Sequence, residues 1–132
     1  AEFLKNGLVP LSVISSHAYI SDDAVVGLSA QIMPGAVIMR DVLIENNCIV
    51  LSRANISHDC ILKEGCEVGP GATLTGCVEI SELVTIGAGA VILPGVKIGK
   101  NSIIGAGAVV TKNIPPGVVA IGNPARVLRD VE

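Results

Sequence analysis

The sequence predicts an all-β fold: a triangular parallel β-helix of about six coils, each wound from three hexapeptides. Three observations point there. First, Ile14, Ile20, Val26, Ile32, Ile38, Ile44, Val50, Ile56, Leu62, Val68, Leu74, Ile80, Ile86, Ile92, Ile98, Ile104 and Val110 are spaced six apart, and all seventeen are Ile, Leu or Val. Second, the residue four places after each is small or aliphatic, from Ala18 to Ile114. Third, every third member of that second set is Ala: Ala18, Ala36, Ala54, Ala72, Ala90 and Ala108.

With the aliphatic residue as position one, positions five and one are two apart and share a face of an extended strand. Position six points outward between them. Alternation fails at positions two to four, so the chain turns there. Position four is Gly, Asn or Asp in twelve of seventeen hexads, among them Asp23, Gly35, Asp41, Asn47, Asp59, Gly65, Gly71 and Gly107. These residues tolerate the positive φ of a tight corner. The alanines recur every eighteen residues, so one coil holds three hexads. Coils about 4.8 Å apart make a prism roughly 27 Å tall.

In chain order, residues 1–13 read as a leader, 14–115 as the coils and 116–132 as a C-terminal tail. The first coil should fray, and His17, at its position four, reads as a surface residue. Cys48, Cys60 and Cys66 fall at position five and read as small core residues with free thiols, in keeping with a cytoplasmic protein. Outward apolar residues at position six, including Val25, Val37, Leu43, Ile49, Ile61, Val91, Ile103 and Val109, predict an oligomer interface, and a closed homotrimer fits. The corner with Asn46, Glu64, Glu82 and Lys100 at position three should face water.

Half the chain is apolar, yet it holds one Phe, one Tyr and no Trp. No aromatic platform serves single-stranded nucleic acid, and no apolar run is long enough for membrane insertion. Residues 1–82 carry ten acids and four bases, whereas residues 83–129 carry Lys97, Lys100, Lys112, Arg126 and Arg129 and no acid. That end suits a polyanionic ligand.

His58 stands at position three of a mid-prism corner, and Gly76 lies one coil above it. A base beside a bare backbone N–H is the minimal equipment for acyl transfer. Asp59 follows directly and would orient His58 if the corner folds the two side chains together. No metal is expected. There is no CxxC motif, and His17 and His58 are forty-one apart, so they do not stack.

Residues 49–76, with Ser57-His58-Asp59-Cys60 and Val68-Gly69-Pro70-Gly71-Ala72-Thr73-Leu74, resemble the sialic acid O-acetyltransferase and bacillosamine N-acetyltransferase group of hexapeptide-repeat enzymes. Gly105-Ala106-Gly107-Ala108-Val109-Val110-Thr111-Lys112 and Ile121-Gly122-Asn123-Pro124-Ala125-Arg126 are similar to the end of many such acetyltransferases. The likeness covers about residues 14–129. It implies a left-handed β-helix and a homotrimer that binds acetyl-CoA between two prisms, with a sugar or nucleotide-sugar acceptor. His58 would be the general base, Asp59 its polarising partner and the Gly76 N–H the oxyanion donor. Ala88 and Ala106 would offer backbone to the pantetheine arm, and Lys112 and Arg126 would meet the CoA phosphates.

The chain departs from that pattern at Ser57, where relatives often carry an acid, and at Glu67, where they often carry a second His near the acetyl group. It has Gly76-Cys77 in place of Gly-Gly. Relatives usually have an N-terminal nucleotide-sugar-binding domain, and only thirteen residues precede the prism here. The alternative reading is therefore a non-catalytic trimerising module without its acceptor domain.

Overall fold

The computed structural model describes residues 5–132, so residues 1–4 of the expected leader lie outside the described residues. Seventeen two-residue strands, from Val13–Ile14 to Val109–Val110, begin every six residues. Each strand is positions six and one of a hexad. Strands pair in parallel with those one coil away, in a register of eighteen residues: Glu67 with Ile49 and Thr85, Thr73 with Asn55 and Val91, Glu79 with Ile61 and Lys97. Three sheets result, and they form the faces of a parallel β-solenoid.

The first face starts at Val13–Ile14 and ends with Val118–Ile121 and Arg126–Asp130, the last pair antiparallel. The second runs from Tyr19–Ile20 to Val109–Val110, the third from Val25–Val26 to Lys97–Ile98.

The core is the stack of positions five and one. From Ala30 to Val110 every such residue is buried. Narrow Ala layers and wider Val, Cys and Ile layers alternate in columns, which keeps the prism close-packed. Ser102 is the one polar residue in this stack; its hydroxyl donates to Pro115 O at 2.7 Å and accepts from Val118 N at 3.2 Å. Among the described residues no coil lies beneath the first, and Ile14 is 48% exposed.

Every position-four residue from Ser29 to Gly107 has positive φ. Asp23 and Asn113 do not, because the end coils turn differently. Asp23 instead accepts hydrogen bonds from Ser21 Oγ at 2.7 Å and Asp41 N at 3.2 Å. Ser29, Arg53, Cys77 and Leu83 take the left-handed conformation without being Gly, Asn or Asp, at φ 56–62°. The stack over-determines the corner, so packing outweighs a local preference of about 1–2 kcal/mol.

Cys48, Cys60 and Cys66 are free and buried, as expected. Burial pushes the Cys60 thiol up to about 11. The Cys66 thiol is pushed up as well, by the neighbouring Cys48 thiol and by burial.

Candidate active site

His58 sits on the corner between the second and third faces. Its column, read upward through successive coils, is Asp22, Arg40, His58, Gly76, Pro94 and Lys112. Asp59 has φ 60°, and this left-handed turn swings its side chain back toward its neighbour. His58 Nδ1 and Asp59 Oδ2 are 2.8 Å apart. A carboxylate only accepts, so Nδ1 is the donor in this pair, and in the neutral imidazole Nε2 then holds the lone pair. Both side chains are nearly half exposed, at 48% and 44%.

Gly76 stands against the imidazole. A Cβ there would lie 2.6 Å from His58 Cε1 and 2.7 Å from Nε2, closer than side chains approach. Only Gly leaves the ring its place. The neighbouring peptide is anchored to the coil below, with Cys77 N donating to His58 O at 3.0 Å. The Gly76 N–H itself has no acceptor among the described residues. An imidazole and a peptide N–H without an acceptor are therefore neighbours within one chain.

Two further side chains join this corner. Arg40, one coil below His58, lies 3.5 Å from Asp59 Oδ2 and 2.9 Å from Asp41 Oδ2 through Nη1. Cys77, one coil above Asp59, is exposed. Its sulfur, a ring nitrogen of His58 and a carboxylate oxygen of Asp59 lie within 4.8 Å of one another. Neither Arg40 nor Cys77 was among the expected site residues. The eighteen-residue column that finds Gly76 also finds Arg40, whereas Cys77 is found only by adding the corner geometry. A groove lined by Tyr19, Ser21, Met39, Arg40, Ser57 and His58 runs down from the imidazole.

The other expected residues lie elsewhere on the same chain. Ala88 and Ala106 occupy the corner between the first and second faces, one coil apart, and both are exposed. Their N–H groups also have no acceptor among the described residues. That corner is nearly bare backbone; a Cβ on Gly69 would lie 2.7 Å from Ala88 N, and one on Gly87 2.5 Å from Ala106 N. Glu67 is on the first face, paired with Ile49 and Thr85. Lys112 stands three coils above His58 in the same column, and Arg126 opens the final strand. The second face separates the His58 corner from the Ala88–Ala106 corner. A second depression, lined by Asn47, Glu64, Gly65, Glu82, Leu83 and Lys100, lies on the third corner and holds no imidazole or thiol.

The family model described as bacterial transferase hexapeptide (six repeats) matches residues 41–76 and 78–112, and the chain belongs to that family. No curated protein matches the chain. Among solved structures, PerB from Caulobacter crescentus, in complex with CoA and GDP-perosamine, is 35% identical with a TM-score of 0.95, over 96% of this chain and 61% of PerB. A mutant of perosamine N-acetyltransferase from the same organism, with the same two ligands, is 34% identical with a TM-score of 0.96, over 98% of this chain and 61% of that one. The acetyltransferase domain of PglB from Neisseria gonorrhoeae, in complex with acetyl coenzyme A, is 32% identical with a TM-score of 0.92, over 96% of this chain and 64% of that one. The chain thus spans less than two thirds of the length of these relatives.

Proposed function

We propose that this chain is the acyl-transfer part of an enzyme that moves an acetyl group from acetyl-CoA to an amine or hydroxyl of a sugar or nucleotide-sugar. The observation that carries this reading is the imidazole wedged under Gly76, with Asp59 on Nδ1 at 2.8 Å and Nε2 free to accept. Resemblance to acetyltransferases crystallised with CoA and GDP-perosamine, or with acetyl coenzyme A, supports the donor and the class of acceptor.

In this reading His58 Nε2 takes the proton of the acceptor amine or hydroxyl as it attacks the thioester carbonyl. The tetrahedral oxyanion receives the Gly76 N–H. The carbon–sulfur bond then breaks, and His58 returns the proton to the departing CoA sulfur. Asp59 stabilises the imidazolium between these steps. The groove lined by Tyr19, Met39 and Arg40 receives the acceptor. The bare backbone of Ala88 and Ala106 receives the pantetheine arm, Glu67 stands near the acetyl group, and Lys112 and Arg126 meet the CoA phosphates.

One prism keeps its two corners on opposite edges of the second face. We therefore place acetyl-CoA between left-handed prisms of a homotrimer, with the His58 corner of one facing the Ala88–Ala106 corner of the next. Leader 1–13, coils 14–115 and tail 116–132 divide the work, and the setting is the cytoplasm. Unbonded thiols stacked at Cys48 and Cys66 suit a reducing compartment.

Titration calorimetry with acetyl-CoA, then an acceptor screen reading free CoA thiol, tests the proposal. His58→Ala should lose on the order of 10²–10⁴ in turnover while acetyl-CoA binding survives. Unchanged thiol release in that variant removes His58 from the mechanism. If wild type retains no CoA, the trimerising-module reading takes its place.

A further inference from the structure

We propose that His58 Nδ1, the Asp59 carboxylate and the Cys77 thiolate form a site for a thiophilic divalent cation of the zinc class, and that filling it switches His58 off as a base. The metal site stands on its own geometry. The switching rests on the acyl-transfer reading.

Asp59 and Cys77 occupy one column, a single coil apart, with φ 60° and 62°. The same left-handed turn therefore projects both side chains from the corner in the same sense. His58 already leans onto Asp59 at 2.8 Å. One nitrogen, one oxygen and one sulfur thus lie within 4.8 Å of one another. Zinc bonds such donors at about 2.0–2.3 Å, so a tetrahedral set needs ligand atoms roughly 3.3–3.7 Å apart. All three side chains are exposed, and rotation can bring the sulfur in and part the imidazole from the carboxylate. A thiolate and an imidazole select zinc-class ions over calcium and magnesium, which take oxygen cages. Three protein ligands leave a fourth position open to solvent.

One group opposes the cation: the Arg40 guanidinium, 3.5 Å from Asp59 Oδ2. It is held more closely by Asp41 at 2.9 Å and is more than half exposed, so it can withdraw toward Asp41. The core thiols do not compete, since the Cys60 sulfur points to Thr75 O at 3.0 Å and that of Cys66 to Ser81 O at 2.9 Å.

Metal bonds form to nitrogen, oxygen and sulfur, and the thiol releases its proton to solvent. The Nδ1 proton passes to Nε2, because a neutral imidazole keeps one N–H. The Nε2 lone pair that would accept the acceptor's proton is thereby lost.

The test uses the chelator-stripped protein without acetyl-CoA, titrated anaerobically with Co2+. Wild type should bind one equivalent and show a thiolate-to-cobalt charge-transfer band that Zn2+ abolishes. Cys77→Gly keeps a residue suited to the left-handed turn, and its melting temperature checks the fold. It should lose the band and bind at least about 10-fold more weakly. Arg40→Gln should bind Co2+ more tightly than wild type. Zn2+ should inhibit CoA thiol release by wild type and leave Cys77→Gly uninhibited. No band in wild type, or a band that survives Cys77→Gly, overturns the metal site. A band alongside zinc-insensitive transfer overturns the switching alone. A band in a protein with no transfer leaves the metal site standing and removes both the acyl-transfer reading and the switch.

Discussion

At the scale of the residue, the corner at 58–59 and 76–77 concentrates chemistry because coil stacking fixes the backbone there, with Cys77 N bonded to His58 O at 3.0 Å. Gly76 is required by the imidazole: its φ is not positive, so the backbone itself accepts Ala, but the added methyl would meet the ring at 2.6–2.7 Å. Gly76→Ala should therefore push His58 off Asp59 while the prism survives. Misplacing a reacting group by an ångström costs about 10²-fold, so turnover should fall by roughly that factor with little change in melting temperature. An equal fall in stability and activity would mean that the glycine serves the fold instead. The four thiols also separate by position. Cys77 is exposed, Cys60 is pushed up to about 11 by burial, and Cys48 and Cys66 are buried. A thiol reagent at neutral pH should count one fast sulfhydryl in the native protein and four after denaturation.

At the scale of the element, each strand is two residues long, so no strand is stable alone and the corners carry as much information as the strands. The Ala column shows the tolerance. Ala72 is fully buried between Ala54 and Ala90. Ala72→Leu should overpack that layer and cost about 1–3 kcal/mol, read as a lower midpoint in denaturant with an unchanged slope. The same periodicity explains what was legible in the sequence. Positions five and one named the core from Ala30 onward, and eighteen-residue stacking put Gly76 over His58. Fraying of the first coil was legible as well, and Ile14 there is 48% exposed. Cys77 was not, since it reaches His58 only because two residues a coil apart both turn left-handed. Leu83 at φ 59° likewise breaks every local preference, and only the stack accounts for its conformation.

At the scale of the whole molecule, the separation of the two candidate corners sets the question of assembly. His58 and Gly76 line one edge of the second face, Ala88 and Ala106 the other, so a pantetheine arm laid on the alanines of one prism is not beside the imidazole of that prism. Outward apolar residues supply surface for a partner: Val25 is 58% exposed and stands in register with Leu43 and, through it, Ile61. Basic residues gather toward the last coils, where Lys97, Lys100 and Lys112 lie with Arg126 and Arg129. If acetyl-CoA binds between prisms, binding and assembly are linked, and ligand should favour the associated state by mass action. Sedimentation equilibrium should then find three copies of the 13.4 kDa chain at micromolar concentration. Dilution below the assembly midpoint should abolish acetyl-CoA retention, and added acetyl-CoA should shift that midpoint downward. Undiminished retention by monomers would place the ligand on a single prism and dissolve the shared groove, even if His58 remained the base.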